Sequence, residues 1–175
     1  MIKEASFDDL ETLAALARQT YSDAFAAEVD PVQLADHLST NMSNEQFAEM
    51  MQTDVFYFYY QDEQPIGFVQ LGDVNDYYQK FVSDINPAGT EIRRAYVLAN
   101  VQSKGIGSAL LEQAFRHPRV ASSPVVYLNV WETNYGAQKL YKRYGFQKIG
   151  EMPEYGLDGE LNGCEHIMAR PNHAS

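Results

Sequence analysis

Two stretches of the chain hold residues whose types and spacing could do chemistry. The first is Gln102-Ser103-Lys104-Gly105-Ile106-Gly107-Ser108, set between a strand-like run and a helix-like run. The free amides and positive dipole end of a helix N-terminus suit a phosphate. Gly105 and Gly107 carry no Cβ, so a pyrophosphate could approach the main chain closely, and Lys104 adds a positive charge. The same residues could equally form an ordinary glycine-containing turn. They match neither the GxxxxGK[ST] phosphate loop nor the dinucleotide GxGxxG pattern. The second stretch runs from Asn134 to Phe146. Ala137, Leu140, Tyr141 and Tyr144 recur at helical spacing on one face. Tyr141 is there either as an aromatic core residue or as a phenol available to a site. Lys142 falls on the outer face, either solvated or within reach of a phosphate.

Other reactive residue types show less pattern. Cys164 is the only cysteine, which excludes an intrachain disulfide and fits a reducing compartment. His166 stands two residues on, yet Cys164 reads as a core residue. His37, His117, His166 and His173 show no metal-ligand spacing, so no metal is expected.

These segments need elements to position them. Ile2 to Ala5 is strand-like, and Ser6 with Asp9 forms a capping-box pattern ahead of a helix to about Tyr21. Pro31 suits the first position of a second helix, and a short third helix surrounds Phe47 and Met50. Val55–Tyr60 and Ile66–Leu71 read as a hairpin across Gln61 to Pro65. Residues 73–90 read as polar, with a loop at Asn86 to Gly89. Glu91–Leu98 is a strand, Gly105–Phe115 a helix stopped by Pro118, and Val125–Trp131 a strand. Asn134–Tyr144 is a helix with Gly145 at its C-cap. Phe146–Gly150 begins a strand, 156–163 holds turn residues, and Cys164–Ala169 is a final strand. A strand, a helix and a second strand in this order predict a parallel pair with a right-handed crossover.

The chain has 175 residues, enough for one domain over 1–175 with a sizeable core. Its formal net charge is −11, but the charge is not uniform. Residues 1–63 carry 2 basic and 13 acidic side chains, whereas residues 93–148 carry 9 basic and 2 acidic. Acidic surface keeps a protein soluble; the asymmetry also suits a protein that meets an anion in one part and a cation in another. The basic block is too small for nucleic acid. The N-terminal residues lack a signal pattern and no run is long enough to span a membrane, so a cytoplasmic protein is expected.

Both chemical stretches lie in the basic block, and together they resemble the GCN5-related N-acetyltransferase (GNAT) superfamily. Gln102 to Gly107 fits its Q/R-x-x-G-x-G/A signature. Asn134 to Phe146 is similar to its second cofactor helix, N-x-x-A-x-x-x-Y-x-x-x-G-F. The resemblance implies an α/β (α+β) acyl-CoA N-acyltransferase fold. Its mixed, mostly antiparallel sheet is flanked by helices and splayed between the fourth and fifth strands, with acetyl-coenzyme A in the split. It implies that the amides of Gln102, Ser103, Lys104, Gly105, Ile106, Gly107 and Ser108 cradle the pyrophosphate. Main chain at Tyr96, Val97 and Leu98 would pair with pantetheine, and Asn134 would contact the same arm. Tyr141 would protonate the departing thiolate. Glu91 would be the base that deprotonates the amine, unless a water wire serves and Glu91 is a surface glutamate. Thr20 to Phe25 and Val130 to Asn134 resemble bacterial spermidine/spermine N-acetyltransferases. A small cationic acceptor such as a polyamine is thus expected, with Asp23, Glu28 and Glu154 candidates for its ammonium groups. Protein N-termini, other small amines and a non-catalytic acyl-CoA-binding role remain alternatives. A homodimer is the family expectation.

Overall fold

The computed structural model describes residues 1–102, 104–156 and 158–172. Its seven strands are β1 (Ile2–Glu4), β2 (Val55–Gln61), β3 (Gln64–Asp73), β4 (Thr90–Val97), β5 (Val125–Trp131), β6 (Gln147–Tyr155) and β7 (Leu161–Pro171). The helices are α1 (Leu10–Phe25), α2 (Pro31–Thr40), α3 (Asn44–Met50), α4 (Ile106–Arg116), α5 (Pro118–Ala121) and α6 (Tyr135–Arg143). The sheet order is β1-β2-β3-β4-β5-β7-β6. The β1/β2, β2/β3, β5/β7 and β6/β7 pairs are antiparallel, and β4/β5 is parallel. The β4/β5 ladder consists of Thr90 opposite Val126 and Glu91 opposite Tyr127, at the start of each strand. This is the expected mixed, mostly antiparallel sheet.

The chain divides into two compact units: Met1–Leu71 with Arg94–Phe115, and Gly72–Arg93 with Arg116–Ser175. In the first, the expected capping box forms: the Asp9 carboxylate accepts the Ser6 backbone N–H at 2.9 Å and its hydroxyl at 3.0 Å. Asp30 caps α2 by accepting from Val32 and Gln33, with Pro31 at the first turn. Leu13, Ala14, Leu16 and Ala17 on α1 pack with Met42, Phe47, Phe56, Phe58 and Phe68. Asp62 and Glu63 turn the β2/β3 hairpin with positive φ values of 48° and 64°, a two-residue turn tighter than the five-residue one expected.

A polar network crosses this unit. Gln70, fully buried, donates from Nε2 to Asp54 Oδ2 at 2.6 Å and accepts from Arg94 at 2.5 Å. The Arg94 guanidinium also lies 5.6 Å from the Phe47 ring centre. A buried polar group is costly unless bonded on every side, and here the neutral amide links a buried carboxylate to a cation.

The second unit gives structure to residues 73–90, which read only as polar with a loop at Asn86 to Gly89. Asp76–Lys80 is a 3₁₀ helix, capped by the Asn75 side chain accepting from Tyr77 at 3.0 Å. Tyr78 is 1% exposed and packs with Val74, Ile85, Tyr127, Met152, Ile167 and Ala169. The segment's polar composition hid a sparse apolar series, Tyr78, Phe81, Val82 and Ile85, that repeats at helical spacing. The Asn86 N–H donates to the Tyr127 hydroxyl at 2.9 Å, which fastens the following loop.

Candidate active site

In the first unit, β4 ends at Tyr96 and Val97, and the N–H of the next residue, Leu98, donates to Ile66 O at 2.9 Å. A 3₁₀ turn at Ala99–Val101 follows, and then α4. Gln102 folds its side chain back to donate from Nε2 to the Val97 carbonyl at 3.1 Å. That bond ties two residues expected to act separately, one in the glycine loop and one on the strand. Lys104 and Gly105 are exposed. Gly105 has φ of +79° with nothing within 4 Å of a notional Cβ, so glycine serves backbone conformation here rather than space. Gly105 O accepts from Ala109 N at 3.0 Å and starts the helical bonding pattern. The amides of a first helical turn have no acceptor within their helix, and in α4 these include Ile106 and Gly107. Ile106, Leu110, Leu111 and Ala114 are the buried face that holds α4 in place. Ser103 lies outside the described residues. Asp23 is tied to the same loop: its Oδ2 accepts from the Ala99 N–H at 3.4 Å and its Oδ1 from Gln19 at 2.7 Å.

In the second unit, Glu91 is buried at 4% exposure, which removes the surface-glutamate reading. One carboxylate oxygen accepts the Tyr78 hydroxyl at 2.6 Å, and the other accepts the Asn75 N–H at 3.1 Å. Burial and the adjacent Glu91 charge push the Tyr78 phenol far up, so it stays protonated and donates.

Glu165 on β7 escaped the sequence reading. Its carboxylate accepts from the Asn129 amide on β5 in a short hydrogen bond. Burial, with Glu154 and Glu91 adding repulsion, pushes its pKa up to about 7. Glu154 is itself raised by burial. A carboxyl poised near neutrality is suited to exchanging a proton. Its signal in the sequence was faint, a single glutamate between Cys164 and His166, and the register of β7 against β5 and β6 gives it meaning.

Tyr141 is 8% exposed on the inner face of α6, edge-to-face against Phe146 with ring centres 6.0 Å apart. Burial pushes its pKa up to about 12. Asn134 caps α6, its Oδ1 accepting from the Ala137 N–H at 3.1 Å. Gln138, missed in the sequence, donates to the carbonyls of Trp131 at 3.2 Å and Glu132 at 2.8 Å and fastens α6 to the end of β5. Lys142 is exposed. Cys164 is not a core residue as expected: it is half-buried and lines an open cavity.

Comparison with known proteins accords with this arrangement. The profile of the Acetyltransferase (GNAT) family matches residues 11–146. An N-acetyltransferase encoded in the pepI 3′ region of Lactobacillus delbrueckii subsp. lactis is 30% identical over 152 residues, covering 86% of each chain. The spermine/spermidine N(1)-acetyltransferase of Bacillus subtilis (strain 168) is 27% identical over 112 residues, which is 61% of this chain and 68% of that one. Among solved structures, the PaiA N-acetyltransferase of Thermoplasma acidophilum, in complex with coenzyme A, aligns with a TM-score of 0.73. Its identity is 21%, over 98% of this chain and 99% of that one. The chain belongs to the acetyltransferase (GNAT) family. It is an acetyl-coenzyme A-dependent N-acetyltransferase.

Proposed function

We propose that the enzyme, with residues 1–175 acting as one catalytic domain, transfers acetyl from acetyl-coenzyme A directly to a small cationic primary amine such as a polyamine. The observation that carries the cationic acceptor is the group of carboxylates in the second unit. Burial first, and then repulsion from Glu154 and Glu91, lifts Glu165 to about 7. A bound ammonium group relieves that repulsion. The likeness to the spermine/spermidine N(1)-acetyltransferase of Bacillus subtilis supports the same reading.

A primary amine with a pKa of about 10.4 costs about 4.6 kcal/mol to deprotonate at pH 7. Glu165, half ionised near pH 7, is suited to accept that proton. Glu91 has both oxygens engaged by Tyr78 and Asn75, so its lone-pair capacity is shared with the fold. We assign Glu91 to holding the acceptor region negative and, through Tyr78, to ordering it. The amine then attacks the thioester carbonyl, the C–N bond forms, and the C–S bond breaks. Tyr141 donates a hydrogen bond to the departing sulfur. With the phenol at about 12 and a thiol near 8.5, outright transfer in the ground state is uphill by about 5 kcal/mol. Tyr141 therefore stabilises the departing thiolate by hydrogen bonding, and the proton that the attacking nitrogen sheds as the amide forms goes to the thiolate or to solvent. The first-turn amides of α4 and the nearby Lys104 suit the pyrophosphate, and Lys142 is available to a further phosphate.

No helix among the described residues is long and apolar enough to cross a membrane. We take the enzyme to be cytoplasmic, which its single cysteine fits, and homodimeric, as the family resemblance implies; sedimentation tests the latter.

The test is thiol release from acetyl-coenzyme A against a panel holding spermidine, spermine, amino acids, aminoglycosides and an N-terminal peptide. Polyamine turnover with a KM that rises with salt is expected. Turnover confined to the peptide keeps the enzyme class and rejects the cationic small-molecule acceptor. Binding of acetyl-coenzyme A without turnover on any amine favours a regulatory acyl-CoA-binding protein.

A further inference from the structure

On the β6/β7 hairpin, Cys164 and His166 stand two residues apart and so project on one face, and Glu151 is the register partner of His166. The Cys164 sulfur, a His166 ring nitrogen and a Glu151 carboxylate oxygen all lie within 4.8 Å of one another. His166 Nε2 is 3.9 Å from Glu151 Oε1. Glu132 approaches from the end of β5: its Oε1 accepts the Cys164 N–H at 2.9 Å, and its backbone N–H donates to Cys164 O at 3.0 Å. Beside the cluster is an open cavity of about 350 Å³ lined by Glu132, Glu151, Cys164 and their neighbours. Gly163 keeps it open: a Cβ there would come within 2.5 Å of Glu132 Oε1 and 2.8 Å of Trp131 Cη2.

We propose that Cys164, His166 and Glu151 form a divalent transition-metal site, for Zn²⁺ by its ligand set, with the fourth position open to the cavity. Thiolate, imidazole and carboxylate together select zinc over magnesium or calcium, which want oxygen alone. A tetrahedral zinc with bonds of about 2.0–2.3 Å needs its ligand atoms about 3.5 Å apart. The three donors reach that by side-chain rotation. Glu151, whose side chain is 56% exposed, must share its charge with Lys148, its present partner. Binding breaks the S–H bond and forms an S–Zn bond; the proton passes to solvent and nothing is oxidised or reduced. Glu132, fixed on the Cys164 main chain, orients the loop and adds negative charge. The site stands apart from the acetyl-transfer reading and does not depend on the acceptor.

The test is titration of the chelator-treated full-length protein with Co²⁺, followed by displacement with Zn²⁺. One equivalent with a near-ultraviolet thiolate-to-cobalt charge-transfer band is expected. Cys164→Ser should abolish the band, and His166→Ala and Glu151→Gln should each weaken binding about tenfold or more, with circular dichroism unchanged. The absence of a band in the native protein overturns the proposal without any variant. So does a band that survives both His166→Ala and Glu151→Gln at full affinity, because the cysteine would then be binding alone.

Discussion

Replacing Glu165 by glutamine isolates the cost of a buried carboxylate. The folded protein raises this group from 4.5 to about 7, mainly by burial. The native state therefore holds the proton more tightly than the unfolded chain does. Stability is full below about pH 4.5, falls as pH rises through the interval, and levels off above about pH 7. The 2.5-unit shift between those two values corresponds to about 3 kcal/mol. Glutamine keeps an oxygen for the Asn129 amide but carries no charge, so the loss disappears. Glu165→Gln should match the native protein near pH 4.5 and exceed it by up to about 3 kcal/mol at pH 8, a melting-temperature gain of about 6–12 °C for a chain of this size. Asp9 and Glu151 titrate in the opposite sense, their carboxyls lowered by hydrogen bonds to Ser6 and Lys148. They act alike in both proteins and cancel in the difference. Urea unfolding at several pH values measures it. A difference that does not change with pH, or one that disfavours glutamine in base, would refute the reasoning. The same variant should lose turnover while gaining stability, as expected where a strained group serves catalysis.

Other substitutions probe separate links. Tyr141→Phe removes the hydroxyl and leaves the ring on Phe146, so turnover should drop about 100-fold or more while acetyl-coenzyme A binding, read by calorimetry, is retained. Equal loss of both would mark Tyr141 as a packing residue. Gln70→Leu removes the amide that links Asp54 to Arg94, and should cost about 2–4 kcal/mol in urea unfolding; a neutral result would mean that the link contributes nothing net.

Much of the frame was legible in the residue order because its causes are local. The Asn134 cap, the Tyr141 face and Gly145 mark α6 within a residue at each end. The Val125–Trp131 run becomes β5 without adjustment. The glycine loop before α4 was equally plain, since a positive φ at Gly105 is a property of that residue and its neighbours. The 3₁₀ helix within 73–90 went unread because its few apolar side chains have meaning only against the Tyr127 and Ile167 surface they cover.

What the sequence determined by itself, then, was the family and the helix and strand succession, together with the loop before α4 and the α6 segment proposed for the cofactor, all of which rest on short-range spacing and turn chemistry. Only the tertiary structure decided that Glu91 is buried beneath Tyr78, that Glu165 meets Asn129, and that Glu151 joins Cys164 and His166. The first follows from the packing of the 3₁₀ helix at Asp76–Lys80, the other two from strand register, and a strand's register is set by its partner strands. A charged residue's chemistry depends on the neighbours and the solvent that register leaves around it.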